Sequence, residues 1–392
     1  MIHTSLQPLD PRWAAAKRIL AVRLDNLGDV LVTTPALHAL KGASPDVHLT
    51  LMASPIGAQA GALNPDVDDV VVYRAPWMDP WRRLDQNPRR EQDAIAFLAS
   101  GSFDAAVIFT SFRQSPLPAA YLTYLAGIPL RLAASIDGPG SLLTNRHKHP
   151  ETMMHEVERG LDLVAAVGFP IRGRGLVLEP TDAARARVSA LLREQTDGEG
   201  PLVVLHPGCS MEARTYPWEM FASVAGELVE TLGATVVLTG AEDERDLVAL
   251  VYEQTPAHCR DRVVKVAGAL SFPELCALIE KADITVTNNT GPMHVSAAVK
   301  TPVVALFALT NPPEQWGPWQ VPHRQLYHDV PCRICYSRVC PVGHECLRLV
   351  SPARVVEAAA GLLSHPEDAP TIPLGLVERF AGGEPSPLEV AP

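Results

Sequence analysis

The sequence predicts an α/β protein built from two Rossmann-like domains whose parallel sheets face each other across a cleft. Three observations predict it. Two strand-to-helix junctions of one kind, ILAVRLDNLGDVLVTTPAL from Ile19 and ADITVTNNTGPMHVSAAV from Ala282, lie one in each half of the chain. Each is an apolar run that ends in small and polar residues and then opens a helix, so backbone N–H groups and a positive helix end point into a crevice suited to phosphate. Apolar strands also alternate with helical periodicity, as right-handed crossovers and parallel sheets require. Finally, 392 residues are too many for one core and fit two domains of about 150–200 residues.

Taken in order, the first half reads as strands at 19–24, 48–52, 69–73 and 105–110 and helices at 30–41, 90–100, 119–126 and 155–167. Residues 171–180 read as a connector, and a helix at 182–194 followed by TDGEGP leads into the second half. There the expected strands are 202–205, 235–239, 263–266, 284–287 and 302–307, with helices at 218–232, 242–253, 272–281 and 292–299. A last helix, 351–363, precedes a Pro-rich tail from His365 that is expected to be disordered. The domains are thus expected at 1–180 and 181–364, with a tail at 365–392. Pro35 falls inside a helical pattern, where it costs about 3 kcal/mol unless it marks a kink. A local rule broken beside a cleft points toward function.

Composition sets outer bounds. Hydrophobic residues at 47% and charged residues at 20% allow a packed interior and argue against bulk disorder. A net charge of −11 argues against a nucleic-acid partner. Basic residues cluster locally at Arg82 and Arg83, at Arg89 and Arg90, and from Arg131 to Lys148. These read as a solvated face or as a patch for an anionic acceptor or lipid headgroups. No stretch approaches 18 uninterrupted apolar residues and the first residues lack the order of a signal peptide, so a cytoplasmic protein is expected.

Several side chains carry candidate chemistry. Asp29, after Gly28 at the end of the first strand, can project a carboxylate into the cleft to take a proton from a hydroxyl, or it can cap the following helix. Arg214 can neutralise a departing diphosphate or stand as an exposed loop arginine. His206 and Gly208 end a strand where backbone can approach a ligand; the histidine could equally be a satisfied loop residue. Asn289, Thr290 and Gly291 open the helix that contains His294, where N–H groups suit a phosphate and Asn or Thr suits an N-cap. Cys332, Cys335, Cys340 and Cys346 follow C-x2-C-x4-C-x5-C. They could hold a structural Zn²⁺ or iron, or stay as free or partly disulfide-linked thiols. Cys209, Cys259 and Cys276 read as ordinary buried residues.

In colinear order, RLDNLGDVLVTTPAL, VVLHPGCSMEARTYPWEMFASVAGEL, VVLTGAEDE, ADITVTNNTGPMHVSAAVKTPVVALF with TNPPEQWGP, and CRICYSRVCPVGHECL resemble the ADP-heptose:lipopolysaccharide heptosyltransferases of glycosyltransferase family 9. The resemblance runs from about Lys17 to Leu363. It implies a GT-B fold, with acceptor on the N-terminal half beside Asn26 and Gly28 and donor on the C-terminal half. It further implies Asp29 as base, Arg214 on the donor phosphates, and Glu244 on the nucleotide ribose. The family commonly has Asp at the position of Asn289, a departure at the expected donor-sugar site. The implied activity is inverting transfer of heptose from ADP-heptose to a saccharide, most plausibly the lipopolysaccharide inner core, with no cofactor required and contact with the inner membrane face open. A different nucleotide-sugar donor or acceptor, a nucleotide-sugar epimerase and a non-catalytic sugar-nucleotide binding protein are the alternatives.

Overall fold

The structure, a computed structural model, describes residues 8–78, 83–196 and 198–365. The expected tail at 366–392 and Arg82 of the first basic pair lie outside the described residues.

Two six-stranded sheets carry the fold, and every pairing in them is parallel. The first holds β1 (Arg18–Arg23), β2 (His48–Ala53), β3 (Asp69–Val72), β4 (Ala105–Ile108), β5 (Leu130–Ala134) and β6 (Asn145–His147). The second holds β7 (Leu202–His206), β8 (Thr235–Leu238), β9 (Val263–Lys265), β10 (Ile284–Asn288), β11 (Val303–Leu306) and β12 (His323–Leu326). The first sheet runs β3-β2-β1-β4-β5-β6 and the second β9-β8-β7-β10-β11-β12, so both have the doubly wound 3-2-1-4-5-6 order. In each, the order reverses beside the first strand, and a crevice opens beyond the carboxyl ends of β1 and β4 and of β7 and β10. The central strands are buried on both faces, which is why they read as unbroken apolar runs.

Three strands escaped the sequence reading. β5 and β6 lie within the stretch marked as basic, and β12 (HRQL) has no apolar run. Arg131 corrects the reading of that stretch as surface charge. It is buried and its guanidinium donates to the carbonyls of Leu142 (2.7 Å) and Ser141 (2.9 Å), cradling the loop that joins β5 to β6. The helix expected at 242–253 begins instead as a 3-10 turn, Glu242–Glu244, and continues as Arg245–Gln254.

The helix Leu27–Lys41 runs through Pro35. A proline there leaves the Leu31 carbonyl without its helical donor, and the Thr34 hydroxyl supplies one at 2.7 Å. The same hydroxyl accepts the Val177 N–H at 2.9 Å, tying the connector to this helix.

The halves are fastened to each other. His155 caps the helix Glu156–Ala165, accepts the Val157 N–H at its Nδ1 and donates from Nε2 to the Gly317 carbonyl at 3.0 Å. Its ring stacks on Trp319 with centroids 4.4 Å apart, and Gln315 donates to Glu156 at 2.5 Å. Arg113, in the loop after β4, stacks on Tyr336 with 4.0 Å to the ring centroid. Among the described residues no helix is long and apolar enough to cross a membrane.

Candidate active site

At the first crevice, β1 delivers Arg23 into the interior, where its guanidinium is surrounded by carboxylates. Asp25 lies 3.0 Å away, Asp29 3.1 Å and Glu156 3.9 Å. Asp29 does both things the sequence allowed. Its Oδ2 accepts the Asn26 N–H at 3.1 Å, closing the first turn of the Leu27–Lys41 helix, while Oδ1 accepts from Arg23 at 3.1 Å and from the Ser111 hydroxyl at 2.9 Å. The carboxylate is therefore held at three points and stays partly open, with 15% side-chain exposure. Asp25 is buried deeper and bonded by Gln114. Burial raises its pKa to about 6 despite Arg23, and burial likewise pushes Glu156 up. Arg23, Asp25, Ser111, Gln114 and Glu156 had no place in the sequence reading. Their signal is the doubly wound order, which brings the loops after β1 and β4 side by side.

The second crevice faces the first. Thr290 stands at the N-cap of the helix Gly291–Val299, but its side chain makes no capping bond, contrary to the expected N-cap role. Pro292 has no N–H to offer and the Met293 N–H is spent on Thr290 O at 3.1 Å, which leaves the Gly291 N–H as the terminus's directed donor. Asn289 is buried, and among the described residues its Oδ1 has no hydrogen-bond partner. Its neighbour Asn288 is structural: it accepts the Tyr216 N–H at 2.9 Å and donates to Pro207 O at 2.9 Å, binding the loop after β7 to the end of β10.

His294 sits where the junctions meet. A Cβ on Gly28 would come within 2.6 Å of the His294 ring, and one on Gly291 within 3.0 Å of the Leu27 side chain, so the two helix starts touch and a side chain at position 28 would displace the imidazole. Burial lowers the His294 pKa to about 4, with Asp29 and Arg214 acting on it in opposite directions. The imidazole is neutral near pH 7, and among the described residues its Nδ1 has no hydrogen-bond partner.

Arg214, on the 3-10 turn Glu212–Arg214, is no loose surface arginine. Its guanidinium donates to Thr310 Oγ1 at 3.1 Å and Asn311 Oδ1 at 2.7 Å, and burial lowers its pKa. Cys209, read as an ordinary buried residue, is half-buried beside Thr290 and Arg214, and burial raises its pKa. His206 ends β7, bonds Thr239 at 3.0 Å through Nδ1 and lies 3.8 Å from Glu244 through Nε2. Glu244 accepts the Ala241 N–H at 2.8 Å, and a Cβ on Gly208 would overlap its carboxylate at 2.0 Å. The close approach that Gly208 permits is therefore made by Glu244.

The four cysteines at 332–346, which could hold a metal or stay as thiols, gather in one loop, where burial pushes the Cys346 thiol up and Cys340, Cys332 and Cys335 all act on it. A tetrahedral zinc site needs sulfurs about 3.8 Å apart, and among the described residues no three of these sulfurs come within 4.8 Å of one another. None of the seven cysteines, all of them among the described residues, is in a disulfide. The loop instead braces Arg214: Ala213 N–H donates to Arg338 O at 2.9 Å, His344 contacts Glu212 O at 3.2 Å, and Tyr336 N–H donates to Thr310 O at 2.9 Å.

Beside Asp29 a cavity of about 730 Å³ opens in the first half, lined by Ser111, Arg113, Gln114, Lys148, His149 and Arg159 among others. A carboxylate at one helix start, an arginine across from it and a mixed polar and cationic cavity alongside can take a proton from a hydroxyl and balance charge on a leaving phosphate.

The sequence model for glycosyltransferase family 9 (heptosyltransferase) matches residues 84–345, more than half of the chain. A lipooligosaccharide heptosyltransferase 2 of Campylobacter jejuni is 31% identical over 164 residues, 41% of this chain and 50% of that protein, so the matched stretch spans about half of that relative. A lipopolysaccharide heptosyltransferase 3 of Escherichia coli is 25% identical over 343 residues, 86% of this chain and 96% of that protein. The solved structure of E. coli ADP-heptose lps heptosyltransferase II superimposes with a TM-score of 0.70 at 19% identity, covering 89% of this chain and 99% of that one, a likeness of fold.

Proposed function

The chain belongs to glycosyltransferase family 9, the heptosyltransferase family, and from that premise we propose that it transfers heptose from ADP-heptose to a saccharide hydroxyl of the lipopolysaccharide inner core. Asp29 takes the proton of the attacking hydroxyl, the hydroxyl oxygen bonds to the anomeric carbon from the face opposite the nucleotide, and ADP leaves with the bonding pair, inverting the centre. Arg214 and the Gly291 N–H receive the charge that grows on the diphosphate. His206, Gly208, Glu244 and Asn289 border the donor, and Asn26 and Gly28 the acceptor.

The observation that supports this best is the fixing of Asp29. A general base must hold one orientation as the proton leaves the hydroxyl, and Arg23, Ser111 and the Asn26 N–H bond its two oxygens in one arrangement. Positive charge for the leaving group comes from Arg214 and a helix end, so the displacement as proposed calls on no metal or cofactor. The proposal extends to the inner face of the cytoplasmic membrane, where the acceptor lipid lies. Phe112 (48% exposed), Ile136 (91%) and Met153 (59%) border the cavity beside Lys148, a pairing of apolar and cationic side chains suited to a lipid surface.

The test is mass spectrometry of products from a panel of nucleotide sugars, with and without core oligosaccharides. The expected product is the acceptor enlarged by one heptose, formed from ADP-heptose. Conversion of the donor sugar without acceptor would mark an epimerase, and the absence of any product with each donor would leave only a binding protein.

A further inference from the structure

At the edge of the cavity beside Asp29, the end of β6 and the helix behind it bring two imidazoles and a carboxylate to one point. His147 closes β6 and His149 follows two residues later, so the rings share a side of the chain. Both meet Asp162 of the helix Glu156–Ala165. His147 Nε2 lies 2.6 Å and His149 Nδ1 2.7 Å from the same oxygen, Asp162 Oδ2, and all three donor atoms fall within 4.8 Å of one another. The rings stand edge to face with centroids 5.0 Å apart. The side chains are 19%, 11% and 16% exposed.

We propose that His147, His149 and Asp162 form a binding site for one divalent transition-metal ion of the zinc class. An ion bound about 2.0–2.2 Å from each of three tetrahedrally placed donors holds them about 3.4 Å apart, so each histidine must draw back from Asp162 by about 0.7 Å. Imidazole and carboxylate together select zinc-class ions over calcium or magnesium, which prefer all-oxygen shells. Partial burial has already removed most water from the three donors, while their small remaining exposure leaves an entry path. His149 also lines the 730 Å³ cavity, so a fourth coordination position opens toward it. Arg159 is the opposing feature, a cation near His149, but Glu156 pairs with it at 3.2 Å and diminishes its field. Bound there, the ion pins the edge strand of the first sheet to the helix that carries Glu156. The proton transfer and charge balance proposed for Asp29 and Arg214 do not call on this ion, so metal binding, and not transfer activity, is the readout that tests it.

The experiment uses the full chain, stripped with chelator and titrated with Co²⁺ alone as a spectroscopic stand-in. The expected result is about one equivalent bound below roughly 10 µM with weak visible bands and no thiolate charge-transfer absorption, which separates this ion from any held by cysteine. His149→Gln keeps a side-chain N–H able to reach Asp162 but gives up a good ligand. It should lose that equivalent while the metal-free melting temperature stays near wild type, and Asp162→Asn should lose it too. Unchanged Co²⁺ binding in His149→Gln overturns the proposal and leaves a hydrogen-bonded histidine pair. So does a wild-type titration whose only bound cobalt shows thiolate bands. Should Asp162→Asn fail to fold, the wild-type spectrum and His149→Gln decide between the outcomes.

Discussion

Asp29 and Arg214 carry opposite charges at helix-start loops that face each other, and each is oriented by neighbours before substrate arrives. Preorganisation of this kind makes substitutions expensive in rate and cheap in affinity. Asp29→Asn keeps an oxygen for the Asn26 N–H and removes the proposed base; steady-state kinetics should show kcat down by about 10² to 10⁴ with donor affinity nearly intact. Wild-type turnover would reassign Asp29 to capping alone. For Arg214, held by Thr310 and Asn311, replacement by Ala should cost about 2–4 kcal/mol of transition-state binding, and Lys should restore only part because an ammonium cannot span both partners and a phosphate. Comparing kcat/KM for the two variants checks it. An equal loss of affinity for a ligand without phosphates would point to misfolding instead.

Elements fit together here through polar details that sequence periodicity does not report. The Leu27–Lys41 helix survives Pro35 because Thr34 returns a donor to the Leu31 carbonyl and accepts one from the connector. Thr34→Val, nearly the same shape, removes both bonds at a fully buried position and should destabilise the fold by about 2–4 kcal/mol. Chemical denaturation measures this, and a loss under 0.5 kcal/mol, roughly the noise for a neutral change, would show that the helix tolerates Pro35 without it. The cysteine-bearing loop is an element of the same kind. Its backbone bonds to the turn carrying Arg214 and to Thr310, so its influence on chemistry runs through the arginine's position.

The whole molecule has a pH dependence written into its two junction histidines. Burial holds His155 near pKa 3 and His294 near 4, well below the 6.5 of a free histidine. In the unfolded chain both take up a proton as pH falls below 6.5, while the folded protein does not. Stability from these groups is therefore full above pH 6.5 and is lost progressively as pH falls toward 4 and then 3. Each contributes a slope of up to about 1.4 kcal/mol per pH unit in that window. Calorimetry between pH 7 and 4.5 should show the melting temperature falling, and His294→Gln should flatten the slope by about one proton. An unchanged slope would mean that the His294 ring protonates in place and the halves stay joined. Since His155 bonds Gly317 and His294 packs on Gly28, the expected loss on acidification begins at the contact between the halves.

The sequence by itself determined the α/β class, the two strand-to-helix junctions, most of the alternating elements and the candidates Asp29, Arg214 and Asn289. These rest on local patterns: apolar runs for buried parallel strands, glycines where helix starts meet, and turn residues where loops face a crevice. Tertiary structure alone decided what each candidate touches. The doubly wound order sets the loop after β4 beside the loop after β1, and only then do Ser111 and Gln114 reach Asp29 and Asp25 across more than eighty residues of chain. It decided that Glu244 fills the space beside Gly208, that Cys209 lies beside Thr290, and that His147, His149 and Asp162 converge while, among the described residues, no three of the clustered cysteine sulfurs come within 4.8 Å of one another. Spacing along a loop does not fix distance through space, because a chain of a few residues can curl or extend. Pairing within a sheet fixes it to a fraction of an ångström, because every strand is held in register by its neighbours' hydrogen bonds.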